Sequence, residues 1–154
     1  MDIYHVLMRD HRKVSALFKK VMVTHNADLR LDLFEKILLE LSIHAATEQA
    51  TFYNALNKNK KGKEEISHAE EEHREIKTCL NKIANSNYKS DDWLIHFGEL
   101  KSIVEHHVKE EETEIFKIAK KMISKREANM LGLKMLALKK EMLNQVNQSL
   151  RLAA

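Results

Sequence analysis

The chain has no proline, and its only glycines in 154 residues are Gly62, Gly98 and Gly132. All-β and doubly wound α/β folds need turn residues at every reversal, so this scarcity excludes both. Cysteine is nearly absent: Cys79 stands alone, which excludes a disulfide framework and thiolate-rich zinc or iron–sulfur sites. Long apolar runs are missing, since no stretch approaches the ~18 residues of a membrane span. The opening Met1-Asp2-Ile3-Tyr4-His5 lacks the basic-then-apolar layout of a secretory signal, so the expectation is a cytoplasmic protein with no membrane partner. An excess of one charge is also missing, because 26 Lys+Arg against 23 Asp+Glu leave +3, mostly interleaved. The one dense cluster, Lys58, Lys60, Lys61 and Lys63 around Gly62, reads as a solvated loop. A nucleic-acid footprint would need a basic face with aromatic or groove-reading partners, so no nucleic acid is expected.

Helical periodicity fills the chain instead. Apolar residues at steps of three and four predict a first helix from about Asp2, its N-cap, to about Thr24–Asn26. A second runs from near Asp28 to about Asn57, and a third from about Lys63 to Ala84, where Asn85-Ser86-Asn87 breaks it. A fourth opens at Ser90-Asp91-Asp92 and reaches about Ile123; Ser124 with Glu127 is a capping box that begins a fifth, ending near Leu150. The expected fold is all-α: an up-down-up-down four-helix bundle, about 2–123, with an appended C-terminal helix, about 124–152, in a single domain spanning 1–154.

Nine histidines are many for this length, and an internal repeat sorts them. Asp10-His11-Arg12-Lys13-Val14 aligns with Glu72-His73-Arg74-Glu75-Ile76, and His44-x-x-x-Glu48-x-x-x-Phe52-Tyr53 with His107-x-x-x-Glu111-x-x-x-Ile115-Phe116. His11, His44, His73 and His107 thus occupy equivalent places, each within an apolar stripe. Glu48 and Glu111 lie four residues beyond a repeated histidine, on the same helix face about 6 Å along the axis. Burying two carboxylates beside imidazoles costs several kcal/mol per uncompensated charge, about what a pair of cations would offset. Imidazole and carboxylate without thiolate suit iron, manganese or zinc. Shared out by symmetry, His11 and His44 serve one metal and His73 and His107 the other, with Glu48 and Glu111 bridging. Tyr4, Ser15, Glu40 and Thr51 are candidates to border or support the site. Leu7, Leu41, Ile103 and Val104 would line it.

These residues resemble the hemerythrin-like, or HHE cation-binding, proteins, in particular small bacterial members with a single domain. The resemblance rests on His11, His44-x-x-x-Glu48, His73 and His107-x-x-x-Glu111 falling on four successive helices, and it extends to Met130–Lys139 of the fifth. It implies a cofactor of two iron ions, Fe–O–Fe or hydroxo-bridged, and a protein that binds or senses dioxygen, nitric oxide or iron. An enzyme acting on nitric oxide or peroxide, or in iron–sulfur cluster repair, is the alternative, and a metal-free helical interaction module is a further one. The oxygen carriers of the family add a third histidine to one iron through H-x-x-x-H on the third helix. Here the positions four before and four after His73 are Ala69 and Lys77, so two equal, open metal positions are expected. Leu133, Leu136 and Leu143 lie off the main apolar stripe of the fifth helix and suggest a homodimer through that helix.

Overall fold

The computed structural model describes residues 1–153. It contains helices α1 (Ile3–Val23), α2 (Ala27–Glu48), α3 (Asn54–Asn57), α4 (Lys63–Ala84), α5 (Asp91–Glu110), α6 (Phe116–Met122) and α7 (Lys125–Ala153), and no strand among the described residues. A π-helical turn at Gln49–Tyr53 joins α2 to α3, and a second at Glu111–Ile115 joins α5 to α6. The elements therefore form five rods, four in an antiparallel bundle and α7 packed along α1 and α2. No helix among the described residues is long and apolar enough to cross a membrane.

The helix ends follow their sequences. Asp2, Asn26 and Ser90 each accept a backbone N–H three residues on, from His5, Leu29 and Trp93. Ser124 and Glu127 form the reciprocal capping box, both bonds 3.1 Å long. Gly62 turns the lysine loop into α4 at φ 80°, a left-handed backbone that glycine adopts without strain.

The bundle's apolar interior is split in two. At the end of the α1–α2 and α4–α5 links, Phe18, Phe34, Trp93 and Phe97 pack with Ile37, Ile83 and Leu100. At the other end, the lower one with the first taken as the upper, Tyr4, Phe52 and Phe116 stack edge to face among Ile3, Leu7, Ile66 and Met135. Between these two apolar plugs lies a band of buried polar side chains: Asp10, His11, His44, Glu48, His107 and Glu111.

The π turns were not expected; the periodicity reads as two uninterrupted helices. At 3.6 residues per turn, Tyr53 would point about 140° away from Glu48. A π turn closes between residues i and i+5, so it carries Tyr53 back over the face that holds Glu48. Thr51, Phe52 and Tyr53 are accordingly buried in succession, which one face of an ordinary α-helix does not allow.

Candidate metal centre

Four rods each send an imidazole into the polar band, and the six predicted residues converge there. His11 Nε2 lies 3.2 Å from Glu111 Oε1, and His44 Nε2 is 3.6 Å from Glu48 Oε1. On the other side His73 Nε2 stands 3.1 Å from Glu48 Oε1, and His107 Nε2 is 3.6 Å from Glu111 Oε2. The donors fall into two groups, His11, His44, Glu48 and Glu111, then Glu48, His73, His107 and Glu111. Both carboxylates belong to both groups.

His73 Nε2 and His107 Nε2 pair with each other at 3.0 Å, but most inward atoms lack partners. His11 Nε2, His44 Nε2, both oxygens of Glu48, and Glu111 Oε1 are buried without any hydrogen bond. Five such atoms facing one another cost several kcal/mol in a bundle core unless something binds them. Three of the outward nitrogens, in contrast, are held by carboxylates. His11 Nδ1 is 2.9 Å from Glu112, His44 Nδ1 is 2.9 Å from Asp10, and His107 Nδ1 is 3.0 Å from Glu72. Imidazoles that donate one N–H to a carboxylate and aim the bare nitrogen at a common centre have the arrangement of metal ligands. The residues present thus fit a pair of cations.

In the absence of metal the electrostatics are severe. Burial and the neighbouring Glu111 carboxylate push the Glu48 carboxyl up. Glu111 goes down despite its own burial, because contact with His11 and the charge of His107 favour its ionised form. Burial opposes the charge on His11, yet Glu111, Glu48 and Glu112 together raise it to about 9. His73 moves the other way, lowered by burial.

The support around this centre comes from Asp10, Glu72, Glu112 and Tyr53, which the sequence did not single out. The Tyr53 hydroxyl donates to Glu111 Oε2; burial and both carboxylates raise its pKa and keep it protonated. The four supporting residues suggested by spacing do not serve. Glu40 pairs with Lys13 at 2.5 Å on the outside. Thr51 returns its hydroxyl to the Thr47 carbonyl, and Ser15 is only half-buried and makes no side-chain hydrogen bond to a ligand. Tyr4 lies in the lower apolar plug, its hydroxyl unpartnered. One signal could have found Asp10 and Glu72: each immediately precedes a repeated histidine in the aligned segments.

A cavity of about 30 Å³ adjoins the four histidines, walled by Val14, Leu41, Ile76 and Val104. That is room for one small molecule beside the imidazoles. Leu41 and Val104 line it as expected. Leu7 belongs to the lower apolar plug instead, and Ile103 is partly buried against the upper one.

Comparison with known proteins agrees with this geometry. A DNA nickase of Nostoc sp. is 26% identical over 116 residues, 75% of this chain and 33% of the nickase, so the chain spans about a third of that relative's length. The uncharacterized protein Rv2633c of Mycobacterium tuberculosis is 28% identical over 116 residues, covering 75% of this chain and 70% of that one. The crystal structure of a hemerythrin HHE cation binding domain-containing protein, the Rv2633c homolog from Mycobacterium kansasii, superposes with a TM-score of 0.86 at 27% identity. That match covers 98% of this chain and 93% of the other. The sequence profile of the hemerythrin HHE cation binding domain matches residues 2–119, all four bundle rods but for the last turn, and the chain belongs to that family.

Proposed function

We propose that the chain forms one hemerythrin-like domain holding two iron ions, with His11 and His44 on one, His73 and His107 on the other, and Glu48 and Glu111 shared. The observation that carries this reading is the set of five buried, unpartnered donor atoms facing one another. Bound iron would supply reversible one-electron chemistry and open positions for a small ligand such as dioxygen or nitric oxide. The chain's own part is to hold the imidazoles in one tautomer, through Asp10, Glu72 and Glu112, and to admit one small molecule past an apolar wall. Metal content is the test: about two irons per chain, falling together with thermal stability in His44→Ala and His107→Ala, since metal stabilises the folded state alone. Wild-type iron in both variants would refute the ligand set.

A second reading, an enzyme acting on peroxide or nitric oxide, draws support from Tyr53, a protonated phenol on a ligand carboxylate. Steady-state turnover by the iron-loaded protein that drops in Tyr53→Phe would favour it over a binding or sensing role. A cytoplasmic homodimer through α7 completes the proposal, on the exposed Met130, Leu133, Leu143 and Leu150 of that helix. A monomer mass independent of concentration in light scattering would remove the dimer.

A further inference from the structure

Asp10 and Glu72 are repeat partners, and each uses one oxygen on a histidine of the buried centre. The other oxygen faces outward. For Asp10 that outer oxygen meets the Lys139 ammonium of α7, so a cation stands there. For Glu72 no lysine or arginine takes that place among the described residues. Its outer Oε2 faces two imidazoles instead, His68 Nε2 and His106 Nε2, each 3.6 Å away and neither bonded to it.

Glu110 completes the group. His68 Nε2 is 3.3 Å from Glu110 Oε2, and His106 Nε2 is 3.1 Å from Glu110 Oε1. The donor atoms of His68, Glu72 and Glu110 all lie within 4.8 Å of one another. The sequence pattern is that of the buried ligands: His68-x-x-x-Glu72 and His106-x-x-x-Glu110 are two more histidine–glutamate pairs four residues apart, the second one position out of register with His107-x-x-x-Glu111. They stand side by side on α4 and α5. His106 Nε2 stands outside that group of three but reaches both of its carboxylates. Ligands about 2.0–2.2 Å from a tetrahedral centre are about 3.3–3.6 Å apart, near the histidine–glutamate separations here.

We propose that His68, Glu72, Glu110 and His106 form an outer, mononuclear site for a divalent transition cation of the zinc or ferrous class. Two carboxylates neutralise a dication, and imidazole with carboxylate selects this class over calcium or magnesium. The site is rigid at its base and adaptable at its rim. The Glu72 side chain is only 8% exposed, whereas those of His68 and His106 are 62% and 63% exposed and can close on an ion from solvent. Beside it a groove lined by Glu64, Glu65 and Glu114 offers an acidic approach.

The test titrates zinc into protein whose buried centre has been filled and whose loose metal has been removed by a weak chelator. Calorimetry should show one further zinc per chain. His68→Ala/His106→Ala, both exposed positions, should weaken that binding by at least about tenfold while buried metal content and helicity stay at wild-type values. Zinc-edge anomalous diffraction should place the ion between α4 and α5. No uptake beyond the buried content, or equal uptake by the double variant, would overturn the site. His44→Ala separates the two proposals, because it should empty the buried centre and leave the outer titration intact.

Discussion

The two halves of the repeat agree at every inward donor and part company one layer out. In the first half, Asp10 holds His44; in the second, Glu72 holds His107 in the same way. Glu112 follows Glu111 and holds His11. Its counterpart after Glu48 is Gln49, which turns to Asn54 instead, and no carboxylate meets His73 Nδ1 among the described residues. Tyr53 hydrogen-bonds Glu111, whereas its counterpart Phe116 has nothing to offer Glu48. Two donor groups that look equal by composition are therefore unequal in their surroundings: Glu111 is the steadied carboxylate and Glu48 the bare one. The equal sharing expected from the repeat does not extend beyond the donors themselves.

The largest effect should come from the layer where the halves still match. Asp10→Asn and Glu72→Gln keep the shape of each side chain but remove the charge that orients a ligand imidazole. Each should lower metal affinity about 10–100-fold, to a similar extent, as losses of such outer partners do. Competition with a calibrated chelator measures this. A loss confined to one of the two would break the equivalence.

Bracing comes next. The first half is propped by α7, through Lys139 on Asp10, and α7 lies close because Gly132 has no side chain. A Cβ there would stand 2.3 Å from the Met1 carbonyl oxygen and 2.9 Å from the Ile3 nitrogen, both backbone atoms that cannot swing aside. Gly132→Ala should destabilise the fold by roughly 1–3 kcal/mol, the usual cost of overpacking, read as a lower melting temperature. If α7 does brace the first half, metal retention should fall with it. Unchanged melting would show that the N-terminal strand of backbone yields.

The smallest effect concerns protons in the metal-free protein. His11 and His73 are counterparts, yet the first is raised to about 9 and the second lowered. Protonation of His11 stabilises the fold fully below its ordinary value of 6.5, and that contribution is lost as pH rises through about 9. Glu48, also raised, acts in the same direction. Metal-free protein should therefore weaken between neutral pH and pH ~9, while metal binding, which needs bare imidazoles, strengthens over the same rise. Imidazole resonances followed by NMR should titrate high for His11 and low for His73; coincident curves would contradict the inequality.

Much of this was legible before the structure. Periodicity and end signals located the rods, because capping by Asp2, Ser90 and Ser124 is local chemistry. The repeat picked four histidines and two glutamates out of many, because inward positions recur at fixed spacing. The supporting layer escaped for a different reason. Glu72 and Glu112 read as members of acidic runs, Glu70-Glu71-Glu72 and Glu110-Glu111-Glu112, and which member of a run turns inward depends on where the neighbouring rod lies. Thr51 and Glu40 failed as candidates on the same account: spacing along one helix says nothing of what another helix brings. His68 and His106 lie outside the four repeated histidines. Each is exposed, but their meeting across α4 and α5 is a tertiary fact.

The π turns carry one more implication. Each is, in effect, a single inserted residue in a helix, one set directly after Glu48 and the other beginning at Glu111. Deleting one residue from Gln49–Tyr53 or Glu111–Ile115 would heal the backbone ladder locally, and would also swing everything beyond it by about 100°. Tyr53 and Leu56 would leave the lower apolar plug on one rod, Phe116 and Ala119 on the other. Such deletions are ordinarily among the mildest length changes a helix end accepts. In this lineage they should be forbidden at two places, and descendants should preserve the count of residues between ligand and plug more strictly than the residues themselves.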